Sequence, residues 1–121
     1  MARFSFIKLP VTDLEAQGVF YAQAFGFAEE GRFSNDEMDE IVMRQSADDT
    51  MLCLMRLKNP PAPADHTIGV LGFTCDDIDG ALTRAMDAGA ELKQSVFAVQ
   101  GIKIALVFDP EGNEIEFVQF S

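Results

Sequence analysis

The stretch PVTDLEAQGVFYAQAFGF, residues 10–27, reads as a strand end, a cap, a helix and a stop. Thr12-Asp13-Leu14-Glu15 offers a capping box, in which a small polar side chain and a carboxylate three residues on satisfy the free N–H groups of a helix start. Leu14, Tyr21 and Phe25 fall at helical spacing, and Gly26 supplies the left-handed residue on which helices commonly end. The pattern returns later as FTCDDIDGALTRAMDAGAEL, residues 73–92. Laying Val11 over Cys75 sets Asp13 over Asp77 and Leu14 over Ile78, and a one-residue slip brings Gly26 onto Gly89. The second helix is capped by Asp76 or Asp77, carries Ile78, Leu82 and Met86 as its apolar stripe, and stops at Gly89. Both stripes are expected to pack on sheets, with the hydroxyl of Tyr21 near the surface.

Strand-like runs complete the repeat on either side. In the first half they are Arg3–Leu9, Phe27–Ser34, Met38–Gln45 and Met51–Leu57; in the second, Thr67–Cys75, Ala90–Val99, Ile102–Phe108 and Glu114–Phe120. Before the last of these, Asp109-Pro110-Glu111-Gly112-Asn113 has the residues of a tight turn, since Pro fixes φ and Gly or Asn tolerates positive φ. Lys58–His66 holds three of the five prolines and can neither propagate a helix nor pair as a central strand. The expectation is an α+β fold of two βαβββ modules, 1–57 and 67–121, joined by a Pro-rich linker at 58–66 within one domain of 121 residues.

Composition narrows the function. The formal net charge of −11 argues against a nucleic-acid partner, because phosphate backbones are held mainly by clustered Lys and Arg. It is compatible with solubility or with attraction of a cationic ligand. No apolar run approaches the roughly 20 residues of a membrane span, and the first residues lack the features of a signal peptide, so a cytoplasmic location is expected. Cys53 and Cys75 form no CxxC pair and are expected to be reduced, small buried residues. With a single histidine, His66, in the Pro-rich stretch, neither a Ser-His-Asp arrangement nor a two-His facial triad has much to build on. No phosphate-binding loop is recognisable, so a nucleotide cofactor is not expected.

On PVTDLEAQGVFYAQAFGF, FTCDDIDGALTRAMDAGAEL and FDPEGNEIEFVQF (residues 108–120), in that order around a mid-chain linker, the chain resembles the vicinal oxygen chelate superfamily of glyoxalase I, extradiol dioxygenases and bleomycin-resistance proteins. The resemblance implies that each module rolls into half of an open, barrel-like cavity, usually in a homodimer. It also implies a place for a divalent metal in the metal-dependent members, held by one residue from the first and one from the fourth strand of each module, usually His, Gln or Glu. Those positions fall on Phe6, Cys53, Val70 and Glu116. Phe6 and Val70 have no ligating atom, so the metal site is expected to be vestigial and no cofactor is expected.

Strand parity then gives the cavity walls. Phe4, Phe6 and Lys8 share one face; Ile68, Val70, Gly72 and Thr74 another; Met51, Cys53, Met55 and Leu57 a third; Glu114, Glu116 and Val118 a fourth. These read as an apolar small-molecule cavity with Lys8 and Glu116 as its notable charges, which should pair if buried together. Two functions stay open: a binding protein for a hydrophobic or cationic small molecule, and a lactoylglutathione-lyase-like or dioxygenase-like enzyme with Glu116 as metal ligand or general base.

Overall fold

A computed structural model describes residues 1, 3–60 and 70–120. His66, Ile68, most of the Pro-rich stretch and the first residues of the strand expected from Thr67 lie outside the described residues. Contacts divide the chain into two compact units, 1–65 and 66–121. Each is a four-stranded sheet with one helix, so the α+β class and the paired βαβββ order hold.

The first unit runs β1 (Phe6–Pro10), α1 (Leu14–Phe25), β2 (Ala28–Ser34), β3 (Met38–Arg44) and β4 (Met51–Leu57), with sheet order β1-β4-β3-β2. β1 starts at Phe6 and not at Arg3. It pairs in parallel with β4 from Phe6↔Met51, the first residue of β4, so nothing on that strand is left for Arg3 or Phe4 to pair with. Phe4 therefore lies ahead of the strand and is exposed. Asp13, one residue after the expected Thr12, is the cap of α1: its carboxylate accepts from the Ala16 N–H at 3.1 Å. Glu15, expected to close a capping box, instead meets the Arg32 guanidinium on β2, with Oε2 3.1 Å from Nη2. Gly26 ends the helix at φ 74° and donates its N–H to the Ala22 carbonyl.

The second unit repeats this order with β5 (Val70–Thr74), α2 (Ile78–Asp87), β6 (Glu91–Val99), β7 (Ile102–Phe108) and β8 (Glu114–Phe120), arranged β5-β8-β7-β6. Asp77 caps α2 by accepting from the Gly80 N–H, and a side chain at position 80 would require the Asp77 carboxylate to shift. Gly89, at φ 117°, carries the chain out of the helix. The expected stripe needs one correction. Ile78 and Ala85 are the buried residues of α2, Leu82 is half-buried and Met86 is exposed, because the helix turns Ala85 toward the sheet. The turn before β8 forms as expected: Asp109 Oδ1 accepts from the N–H groups of Glu111 and Asn113, both at 2.9 Å, and Gly112 takes φ 88°.

Each sheet buries one face under its own helix. In the first unit Leu9, Ile41, Met43, Leu52 and Leu54 meet Leu14, Phe20 and Tyr21; Tyr21 is fully buried, its hydroxyl included, and stacks on Phe25. In the second, Ala105, Val107, Ile115 and Phe117 form the buried face with Ile78 and Ala85. Enclosing each large side chain contributes about 1.5–3 kcal/mol. Alternation then commits the even-numbered residues of β1, β3 and β8, and the odd-numbered residues of β4, to the opposite faces, where the candidate site lies.

Candidate functional site

On the first unit's open face, cross-strand register sets Lys8 beside Cys53, Phe6 beside Met51, Val42 beside Cys53 and Phe33 beside Glu40. Between Glu29 and Gly31 the pairing of β2 with β3 slips, and this bulge brings Glu30 onto the same face. Together these residues line a pocket of about 390 Å³. Its walls are Phe6, Phe33, Val42, Met51 and Cys53; its polar groups come from Lys8, Glu30 and Glu40.

The charges are ordered. Lys8 Nζ lies 3.1 Å from Glu40 Oε1, and the Glu40 side chain is only 7% exposed while that of Lys8 is 39% exposed. Glu40 comes from the middle of the sheet, where water is excluded, and an unpaired carboxylate there would be costly. The Lys8 ammonium also sits 6.0 Å from the Phe6 ring centroid, within cation–π reach. Glu30 pairs with Arg44 Nε at 3.2 Å. Burial pushes the Cys53 thiol up, the Glu40 charge pushes it further, and Lys8 partly opposes both. Cys53 is thus a neutral wall atom at ordinary pH.

Glu30, Gly31, Phe33, Glu40 and Val42 are not among the wall residues that the sequence points to. Glu40 had a signal, since parity puts Met38, Glu40 and Val42 opposite the buried Ile41 and Met43. The bulge that admits Glu30 had none. Of the expected wall residues, Phe6, Lys8, Met51 and Cys53 meet in this pocket; Met55 shares the face through its register with Glu40 and Pro10 but does not line it.

The second unit's face has the same register with different chemistry. Val70 lies beside Glu114, and Gly72 and Leu106 flank Glu116. Glu116 is half-buried and has no ion pair among the described residues. Glu114 pairs with Lys93 of β6, whose ammonium lies 5.5 Å from the Phe108 ring centroid.

The family model of the Glyoxalase/Bleomycin resistance protein/Dioxygenase superfamily matches residues 3–117. The chain belongs to this superfamily. A comparison with curated proteins finds no match. Among solved structures, TnmS3, an antibiotic binding protein from Streptomyces sp. CB03234, is similar at 23% identity and TM-score 0.80, covering 100% of this chain and 98% of that one. A glyoxalase/bleomycin resistance protein/dioxygenase family enzyme from Burkholderia phytofirmans PsJN is similar at 18% identity and TM-score 0.80, over 99% of this chain and 100% of that one. A glyoxalase I variant from Zea mays is similar at 20% identity and TM-score 0.82; 95% of this chain spans 45% of that one. These likenesses show the fold.

Within the superfamily frame, the positions corresponding to metal ligands can be tested on their own chemistry. In the first unit they are Phe6, with no donor atom, and Cys53, a thiol held protonated beside the Lys8 cation. In the second they are Val70, with no donor, and Glu116. Zinc sites use three or four N, O or S donors, and hard cations use six or more oxygens. Among the described residues no group of three or more His, Cys, Asp or Glu could hold an ion. The donor set does not fit a divalent metal.

Proposed function

We propose that this superfamily member binds a small, mainly apolar molecule on the open face of its first unit, without a metal ion. The observation that carries the reading is the 390 Å³ pocket, walled by Phe, Val, Met and Cys side chains around the Lys8–Glu40 ion pair, whose carboxylate is buried. Pockets of this size, largely apolar with a few fixed polar groups, are the usual form of small-molecule sites. The likeness in fold to an antibiotic binding protein supports the same reading. A homodimer, as the family resemblance implies, and a cytoplasmic location go with it; no helix among the described residues is long and apolar enough to cross a membrane.

A second reading is favoured by one observation: Glu116 is half-buried between Gly72 and Leu106 with no cation paired to it among the described residues, an environment suited to a general base. Metal content by elemental mass spectrometry, ligand screening with a chelator present, and assay of Glu116→Gln for turnover separate the two. The binding reading expects no stoichiometric ion and chelator-independent ligand stabilisation. One tightly held ion per chain, lost in Glu116→Gln, would overturn it in favour of a glyoxalase-like lyase or a dioxygenase.

A further inference from the structure

We infer that the first unit's pocket selects a neutral, flat molecule carrying an oxygen acceptor, and that Lys8 is the residue that reads that oxygen; this rests on the binding reading above. The charges lining the pocket cancel in pairs, Lys8 with Glu40 and Glu30 with Arg44. An ionic ligand would leave water for a site holding no unmatched counter-charge, which is costly. The net acidity of the whole chain therefore does not extend to its pocket.

A neutral ligand still needs a polar handle, and only one member of the Lys8–Glu40 pair can offer it. The Glu40 side chain is 7% exposed and its enclosed Oε1 meets the Lys8 ammonium as an ion pair without a hydrogen bond, so a ligand has little access to the carboxylate. The Lys8 ammonium is 39% exposed on its side chain and carries three donors, of which one can serve Glu40. The remaining donors are available to an acceptor oxygen entering over Cys53. Glu40 thereby fixes the ammonium in place, and Lys8 supplies the directional contact.

The walls set the shape. Phe6 and Phe33, residues 49% and 61% exposed, line the pocket with aromatic surface that gains by covering a flat apolar body. Met51 between β1 and β3 adds a soft, polarizable contact that adapts to ring edges.

Three probes of nearly equal size test the inference by calorimetric titration of the full chain: acetylnaphthalene, ethylnaphthalene and naphthylethylammonium. The wild type is expected to bind the ketone about tenfold or more tighter than the hydrocarbon, the contribution of one hydrogen bond from a charged donor. Lys8→Met keeps the apolar stem, removes the donor and uncovers the charge of Glu40. The ketone's advantage should collapse and the ammonium probe should gain affinity, a reversal that mere loosening of the fold would not give. Lys8→Arg should keep the ketone's advantage, and is informative even if Lys8→Met folds poorly. Equal binding of ketone and hydrocarbon by the wild type, or an advantage that survives Lys8→Met, would overturn the inference while leaving the binding reading intact. If none of the three probes binds, the binding reading falls and this inference with it.

Discussion

The two units have one topology and matching β1–β4–β3 and β5–β8–β7 registers, but the chemistry of their open faces differs. Position for position, Lys8 beside Cys53 in the first corresponds to Gly72 beside Glu116 in the second. The first face carries its cation on the outer strand β1 and its anion on the central strand β3, and closes the pair over a buried carboxylate. The second places an anion on the strand equivalent to β4 and leaves a glycine where the cation would stand. The buried faces have to remain alike because each must cover its helix, whereas the open faces are released from that demand. Duplicated modules can therefore keep a fold while one face becomes a pocket and the other carries, in Glu116, a carboxylate with no ion pair among the described residues.

The largest expected effects fall on what the units share. Phe117 and its repeat counterpart Leu54 are both fully buried beneath the helices. Phe117→Ala should cost about 3–5 kcal/mol and Leu54→Ala about 2–5 kcal/mol, read by urea unfolding. A loss below about 1 kcal/mol in either would mean that the two cores are not equivalent.

Next come effects confined to one face. Phe33→Ala should weaken acetylnaphthalene binding by about tenfold, through lost area and ring contact, while Val70→Ala on the second unit should leave it unchanged. Equal loss from both would show that the ligand does not distinguish the faces. Smaller still is the attempt to make the faces alike. A side chain added at Gly72 meets no atom within 4 Å, so Gly72→Lys should be accommodated, pair with Glu116 and change stability by less than about 1 kcal/mol in thermal unfolding. A large loss would show that the second face is not open at that point.

The smallest effect is electrostatic and on the surface. The Arg32 guanidinium holds the carboxyls of Glu15 and Glu29 below the usual carboxylate range. Because their folded pKa values are depressed, the stability they contribute is present above the unfolded carboxylate pKa and is lost as pH falls through the folded values. Both groups are exposed, so the acid-induced loss should be slight and should shrink in high salt. A salt-insensitive loss would place the responsible carboxylates elsewhere.

Much of the fold was legible because caps and turns carry local chemistry: Gly26, Asp77 and Gly89, and Asp109 through Asn113 mark element ends wherever the chain goes, while the start of α1 reads one residue early, at Thr12 in place of Asp13. The start of β1 was not, because Phe4 alternates like a strand residue and only the first residue of β4 decides where pairing begins. Phe6, Lys8 and Cys53 were legible as one face from strand parity. The partner of Lys8 was not, since Glu40 becomes its neighbour only when β3 is laid beside β4 and β4 beside β1. Glu30 depended on a bulge, an insertion that parity counting reads as an outward residue.

The central claim is that the ligand sits on the first unit's face and needs no metal. Its most direct test is nitrogen-labelled NMR of the full chain, treated with chelator and titrated with acetylnaphthalene. The expected result is saturable shifts concentrated on β1, β3 and β4 around Phe6, Lys8, Glu40 and Cys53. Shifts centred on Glu116 and Gly72 instead, or binding that appears only when a divalent ion is returned, would contradict it.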